Sequence, residues 1–222
     1  MSGARLSVYA ADAGLKVPFV ISGHTWNSHP YIIVELEDGR QLARGEAAGV
    51  YYRAETADSM MHQVRSVASG IEAGVDRRTL RHVLPAGGAR NAIDCALVDL
   101  ESQRQGIPAW QCLGLPKPAP LETFLTITAD TPKAMGETAA TTLGQAGRIK
   151  LKLTGDASLD TERLAAVRTA RPDAELAVDA NCGYRPDTLA PLLDGIEAAK
   201  VRLLEQPCPP EYDAELRGLD WP

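Results

Sequence analysis

Two lysines separated by one residue, Lys150-Leu-Lys152, stand out in this 222-residue sequence, followed by Asp179-Ala-Asn181 and then Glu205-Gln-Pro207. Strand side chains alternate between faces, so Lys150 and Lys152 share one face if the segment is extended. Two ammonium groups held close in a partly dry site disfavour each other's charge. One of them is then expected to have a lowered proton affinity and to act as a base near neutral pH. A strand edge carrying two solvated lysines is the ordinary alternative. Asp179 and Glu205 are the hard oxygen donors that a divalent cation such as Mg2+ requires. Asn181, two residues beyond Asp179, faces the same way if the strand continues, and can then bind or orient a ligand. Singly, each of these residues is as well explained by a helix cap or a loop hydrogen bond. Together and in register, they point to a site.

Residues of this kind must project from the ends of neighbouring strands. Strands are expected at 123–128, 148–152, 175–179 and 201–205, and the polar residues near their ends, Thr126, Lys152, Asp179 and Glu205, recur at steps of 26, 27 and 26 residues. Amphipathic helices lie between them. One opens at Thr131-Pro132 with a capping threonine and a proline in its first turn, a second covers 159–170, and a third covers 186–199 with Leu189, Leu192, Leu193 and Ile196. A near-constant repeat of strand plus helix indicates a parallel sheet. No glycine-rich phosphate fingerprint follows the first strand, so a (β/α)8 barrel is favoured over a nucleotide-binding doubly wound sheet. Four units supply half of such a barrel, and its C-terminal strand ends are where barrel sites form.

The first half of the chain has another rhythm. A short strand is expected at 6–10. A second at 31–37 runs into Asp38-Gly39, a hairpin signal, and returns over 41–46. Met60, Val64, Val67 and Ile71 fall at helical spacing behind Asp58, a candidate N-cap, and Ala92, Ile93, Ala96, Leu97 and Leu100 form a second helical stripe that Gly106-Ile-Pro108 ends. The fold class is therefore an α+β domain at 1–115, followed at 116–222 by the first half of an α/β, TIM-like barrel. The chain is 45% hydrophobic with a net charge of −6 and interspersed charges. No basic stripe suggests nucleic acid, no Lys/Arg cluster suggests a lipid surface, and no apolar run is long enough to span a bilayer. Cys95, Cys112, Cys182 and Cys208 form no CxxC pair, and the N-terminus carries no export signal. The expectation is a cytoplasmic protein with reduced thiols, acting on a small molecule and not on nucleic acid or membrane.

The run Lys150-Leu-Lys152, then Val178-Asp-Ala-Asn-Cys-Gly-Tyr184, then Leu203-Leu-Glu-Gln-Pro-Cys-Pro209 resembles the signature of the enolase superfamily. The segment from Ala89 to Leu100, followed by Gly106-Ile-Pro-Ala-Trp110, resembles the last helix of that family's capping domain. Thr126-Ile-Thr128 with Arg148-Ile-Lys-Leu-Lys152 is most similar to the dipeptide epimerases. Muconate-cycloisomerase-type relatives, including succinylbenzoate synthases and N-acyl amino acid racemases, share much of the pattern. The resemblance implies an isomerase that removes the α-proton of a carboxylate substrate, a dipeptide or N-acyl amino acid, through an enediolate stabilised by Mg2+. It implies Lys152 as acid/base with Lys150 in support, Asp179 and Glu205 as metal ligands, and Thr126, Asn181 and His24 as substrate-binding residues. A cycloisomerase or dehydratase using the same half-reaction, or a non-catalytic truncated relative, are the alternatives.

The family pattern also implies a third carboxylate ligand on a fifth strand, a lysine on the sixth and a later Asp-x-Asp pair. This sequence stops at Gly218-Leu-Asp-Trp-Pro222, and Asp220 falls in the loop before that fifth strand. Two ligands of three and one base of two are thus expected here. In Pro18-Phe-Val-Ile-Ser-Gly-His24-Thr-Trp26, His24 stands in a capping loop where relatives acting on Ala-Glu commonly carry arginine. Histidine is a weaker, pH-dependent partner for a carboxylate, which points away from an Ala-Glu substrate. Cys182 and Tyr184 stand where Gln and Trp are usual. A half barrel leaves a strand edge uncovered, so the 222 residues alone are expected to be soluble only as a homo-oligomer or with further segments. They are also expected to bind Mg2+ weakly and to lack epimerase activity. Calorimetric titration with Mg2+ and a racemisation assay check both expectations.

Overall fold

Apolar or small residues at every second position of Ile32-Ile-Val34-Glu-Leu36 and of Ala43-Arg-Gly45-Glu-Ala47 are buried, and the residues between them are not. This is the pattern of a sheet with one covered face. The computed structural model describes residues 4–143 and 145–217, which fall into two units. The first contains residues 4–14 and 28–119, and the second contains 15–27 and 120–217. Asp220 lies outside the described residues.

Strands β1 (Arg5–Ile21), β2 (His24–Glu37) and β3 (Leu42–Ala48) form a sheet in that order, with residues 5–14 and 28–48 in the first unit and the tip of the first hairpin, 15–27, in the second. β2 and β3 are antiparallel and pair Glu37 with Leu42 across the turn, where Gly39 takes a positive φ of 84° and the Asp38 carboxylate accepts from the Gln41 amide at 3.1 Å. Helices α1 (Ala57–Glu72), α2 (Arg77–Val83), α3 (Gly88–Gln105) and α4 (Ala109–Cys112) follow. Ile32, Val34 and Leu36 share a buried cluster with Met60 and Val64 of α1 and Ala92, Ile93 and Ala96 of α3.

Two local expectations change. Thr56, not Asp58, caps α1: its side chain accepts from the Ser59 amide, and the Ser59 hydroxyl accepts from the Thr56 amide. This reciprocal pair leaves Asp58 in the first turn, where it faces the positive end of the helix dipole. The first strand is also far longer than 6–10. Gly14 and Pro18 read as breakers, yet both lie within β1, whose partner strand β2 begins at His24 across a turn that contains Gly23 at φ 70°.

In the second unit, β4 (Leu125–Ile127), β5 (Arg148–Lys152), β6 (Glu175–Asp179) and β7 (Val201–Glu205) form a parallel sheet in sequential order. Helices α5 (Pro132–Ala140), α6 (Ala157–Ala170) and α7 (Pro186–Ala198) connect them, and α8 (Asp213–Leu216) follows β7. This is the repeat expected of half a barrel. Ile149, Leu151, Leu176 and Val178 are fully buried in one cluster with Met135 of α5, Leu164 of α6 and Leu192 of α7. One sheet face is thus sealed by helices, and the alternate residues, Lys150 and Lys152 among them, occupy the other.

Gly45 shows how closely β3 and α3 approach. A Cβ there would stand 1.9 Å from the Ala92 carbonyl oxygen and 2.6 Å from the Ala96 nitrogen, both helix backbone atoms that cannot move aside. Gly45→Ala is expected to destabilise the chain by at least about 2 kcal/mol through overpacking, read as a lowered urea midpoint.

Candidate active site

Parallel pairing aligns Lys152 with Asp179 and Asp179 with Glu205, so three polar residues lie side by side at the C-terminal strand ends. One layer below, Thr126 is in register with Lys150 and Ala177. Each is followed or preceded by an apolar residue that faces the helices, such as Leu151 and Val178. A register slip by one residue would bury the charges and expose that core.

Asp179 is the centre of the cluster. It is 2% exposed, and its Oδ2 accepts from Lys152 Nζ at 2.6 Å and lies 2.9 Å from Lys150 Nζ. Its Oδ1 accepts from the Asn181 amide at 3.0 Å. Lys150 Nζ also donates to Glu205 Oε2 at 2.7 Å, and Lys152 Nζ donates to Asn181 Oδ1 at 3.0 Å. Asn181 takes a left-handed φ of 46°, a conformation in which asparagine is tolerated better than most residues and which here turns its side chain back toward Lys152. Lys150, Lys152, Asp179, Asn181 and Glu205 are thus brought into one hydrogen-bonded group. Thr126 shares the sheet face of Lys150 and is exposed.

The sequence leaves open which of the two lysines has the lowered proton affinity, and Lys150 is not that one. Burial alone would lower its proton affinity, but hydrogen bonds to Glu205 and Asp179 outweigh burial and raise it above the ordinary lysine value. Repulsion between neighbouring ammonium groups is overcome by the two carboxylates that lie between strands. For Asp179, burial favours the neutral acid, but the hydrogen bonds from Lys152 and Lys150 prevail and hold its carboxyl below the ordinary value.

The hairpin tip at residues 15–27 belongs to this unit. Val20 donates its amide to Thr128 Oγ1 at 2.5 Å, while its carbonyl accepts from that hydroxyl at 3.0 Å and from the Ala129 amide at 3.1 Å. This clamp sets Phe19 with its ring centroid 5.7 Å from Lys152 Nζ, within reach of a cation–π interaction. Phe19 is 6.0 Å from Trp26, and Trp26 is 4.0 Å from His24, both measured between ring centroids. His24 therefore begins a strand and does not sit in an irregular loop, and it joins the group through two aromatic rings. Phe19 and Thr128 are the residues that sequence reasoning missed. Both lie inside segments whose motifs attracted notice for His24 and Thr126, but pairing across more than a hundred residues leaves no local signal.

Asp179 and Glu205 both approach the same ammonium nitrogen, which occupies the position of a cation between two hard oxygen donors. They fit a divalent metal as two of its ligands. Among the described residues, no group of three His, Cys, Asp or Glu side chains is placed to hold one.

Residues 5–114 match the family described as the mandelate racemase / muconate lactonizing enzyme N-terminal domain, and residues 134–220 match the enolase C-terminal domain-like family. The chain is 39% identical over 208 residues to the L-Ala-D/L-Glu epimerase of Escherichia coli K12, covering 94% of this chain and 64% of that protein. A solved L-Ala-D/L-Glu epimerase superposes with a TM-score of 0.83 at 36% identity, covering 99% of this chain and 67% of that one. The dipeptide epimerase of Methylococcus capsulatus, solved with Mg and the dipeptide L-Arg-D-Lys, superposes with a TM-score of 0.86 at 29% identity, covering 99% and 65%. The chain thus spans roughly two-thirds of the length of these relatives.

The pairing of Asp179 with two lysines makes a pH-dependent contribution of known sign. Because the Asp179 carboxyl is depressed below 3.8, its contribution is present above that value and is lost as pH falls through the folded-state value. Because Lys150 is raised above 10.5, its contribution is present below that value and is lost as pH rises through the folded-state value. Asp179→Asn is expected to reduce stability near neutrality by about 3–5 kcal/mol, as removal of one partner from a buried ion pair does. The difference from the parent chain should shrink below pH 3.8. Urea midpoints of both chains across the acid range measure it.

Proposed function

The chain belongs to the enolase superfamily, in its dipeptide-epimerase branch, and on that premise we propose that its protein inverts the α-carbon of a dipeptide or a related N-acyl amino acid. The observation that carries the reading is the junction of Lys152 with Asp179, Asn181 and, through Asp179, with Lys150 and Glu205.

In this reading, Lys152 removes and returns the α-proton on one face of the substrate. Its side chain is 11% exposed, so water is largely kept from the nitrogen. Asn181 and Asp179 fix the direction of that nitrogen, which leaves little reorganisation for the proton transfer itself. Lys150, charged at neutral pH, offsets negative charge that builds up on the substrate carboxylate as the proton leaves. A divalent cation such as Mg2+, held by Asp179 and Glu205, would supply further fixed positive charge toward the same carboxylate. Inversion also needs an acid/base on the opposite face of the α-carbon, a role assigned to none of the described residues.

The substrate's second residue is read from the hairpin tip. Phe19, Trp26 and His24 form a continuous aromatic group beside Lys152. Such a surface favours an uncharged or aromatic side chain, and histidine is a poor permanent partner for a carboxylate near neutral pH.

Two outcomes are expected of the full-length protein. For the substrate epimer whose α-hydrogen faces Lys152, Lys152→Ala should reduce exchange of that hydrogen with deuterium by at least about a thousandfold, within the range a lost general base costs. NMR of the recovered dipeptide reads this, and unchanged exchange would remove Lys152 from its role. Turnover across a dipeptide library should favour uncharged or aromatic second residues, and a clear preference for Ala-Glu contradicts the assignment of the tip.

A further inference from the structure

Behind the strand ends, a second charged group is buried where the proposed reaction has no direct use for it. Asp160, in the first turn of α6, is 0% exposed. Its carboxylate accepts from the amides of Thr154 at 3.0 Å and Gly155 at 3.1 Å, from Arg163 Nη1 at 2.6 Å and from the Tyr184 hydroxyl at 2.5 Å. Arg163 also donates to Thr154 Oγ1 at 2.6 Å and, through Nε, to the Asp130 carbonyl at 2.6 Å. Tyr184, 1% exposed, donates its own amide to the Pro207 carbonyl at 3.0 Å.

These contacts have a common geography. Asp130 follows β4, Thr154 and Gly155 follow β5, Tyr184 follows β6 and Pro207 follows β7. One buried carboxylate, with its arginine and tyrosine, therefore ties together the loops leaving all four strands. The loops after β5 and β6 also touch directly, since a Cβ at Gly155 would stand 2.3 Å from the Gly183 carbonyl oxygen. The same two loops carry the ends of the Lys152 hydrogen bonds. Lys152 lies two residues before Thr154, and Asn181 lies three before Tyr184.

We infer that Asp160, Arg163 and Tyr184 form a positioning unit that sets the spacing between the β5 and β6 loops and so holds Lys152 against Asp179 and Asn181. The inference rests on Lys152 being the base of the proposed reaction. A buried carboxylate and guanidinium are costly to desolvate, and replacing a buried ion pair by an apolar group of the same volume is often neutral or stabilising. What an apolar trio lacks is direction. The Tyr184 hydroxyl joins the β6 loop to Asp160, and the bonds that the carboxylate accepts from Thr154, Gly155 and Arg163 fix its direction, which dispersion contacts do not. A displacement of about 1 Å at a reacting group costs on the order of a hundredfold in rate.

The test compares Tyr184→Phe with the parent in the full-length protein, since the substitution removes one hydroxyl and no bulk. Three quantities are measured: kcat and KM for the best dipeptide, thermal midpoint, and acylation of Lys152 by an amine-reactive ester, read by mass spectrometry. The expected result is a fall in kcat of about tenfold or more, KM within about threefold, and faster acylation of Lys152 as its partners release it. Thr154→Val, which removes only the hydroxyl between Asp160 and Arg163, should shift both quantities in the same direction by a smaller factor. It serves in place of Tyr184→Phe if that variant does not fold. A lowered thermal midpoint with kcat and Lys152 acylation unchanged would make the unit merely structural and overturn the inference. Should the parent protein turn over no dipeptide, the functional reading fails by itself. Acylation of Lys152 then still decides: accelerated in the variants, the unit positions the lysine; unchanged, it does not.

Discussion

Two lysines on one face of a strand stand about 7 Å apart at their Cβ atoms, close enough for their charges to oppose each other. The second unit resolves that opposition with one atom. Asp179 Oδ2 meets both ammonium groups, Glu205 accepts a second bond from Lys150, and Asn181 accepts a second from Lys152. The rest of the unit can be read as what this contact requires. Asp179 must lie opposite Lys152, so β6 must run parallel to β5 in a single register. That register is in turn enforced from the far side, where Leu151 and Val178 are fully buried under the helices. The charges on one face and the core on the other therefore specify the same pairing.

Much of this was legible in the sequence because the two faces carry unlike residues. Strands β5, β6 and β7 match the expected 148–152, 175–179 and 201–205 residue for residue, each being a short run with a polar residue at its end. The first strand of the sheet was expected at 123–128 and is only Leu125–Ile127. In the register of Leu125 with Ile149, Thr123 would fall opposite residue 147, before β5 begins at Arg148. Propensity identifies residues that can be extended, but pairing decides which of them are. The long β1 illustrates the converse. Gly14 and Pro18 argue locally for a break, and the antiparallel partner β2 overrides them.

The site divides along similar lines. Lys150, Lys152, Asp179, Asn181 and Glu205 were readable because parallel strands repeat at nearly equal spacing, which places their ends together without further information. Phe19 and Thr128 were not, since Phe19 is placed by its neighbour Val20, whose backbone bonds the Thr128 hydroxyl 108 residues away. Asp160 was also invisible. As a residue in the first turn of a helix behind a capping Asp156, it reads as ordinary dipole compensation. Only burial and the convergence of Tyr184 and Arg163 on it separate Asp160 from any other acidic residue at a helix start.

The arrangement of donors around Asp179 also couples charge to occupancy. One oxygen serves both lysines, while the other is held by the Asn181 amide and cannot swing to replace it. A ligand that claims Oδ2 therefore displaces both ammonium groups from it at once. Glu205 softens this effect for Lys150, which keeps a second carboxylate partner. Among the described residues, Lys152 has no second carboxylate in contact beside Asp179, but the neutral Asn181 oxygen and the face of Phe19. Of the two lysines, Lys152 is thus the one left without a carboxylate partner among the described residues when Oδ2 is taken. That asymmetry, set by which strand end lies beside which, is a physical reason for assigning the base to Lys152 and the standing charge to Lys150.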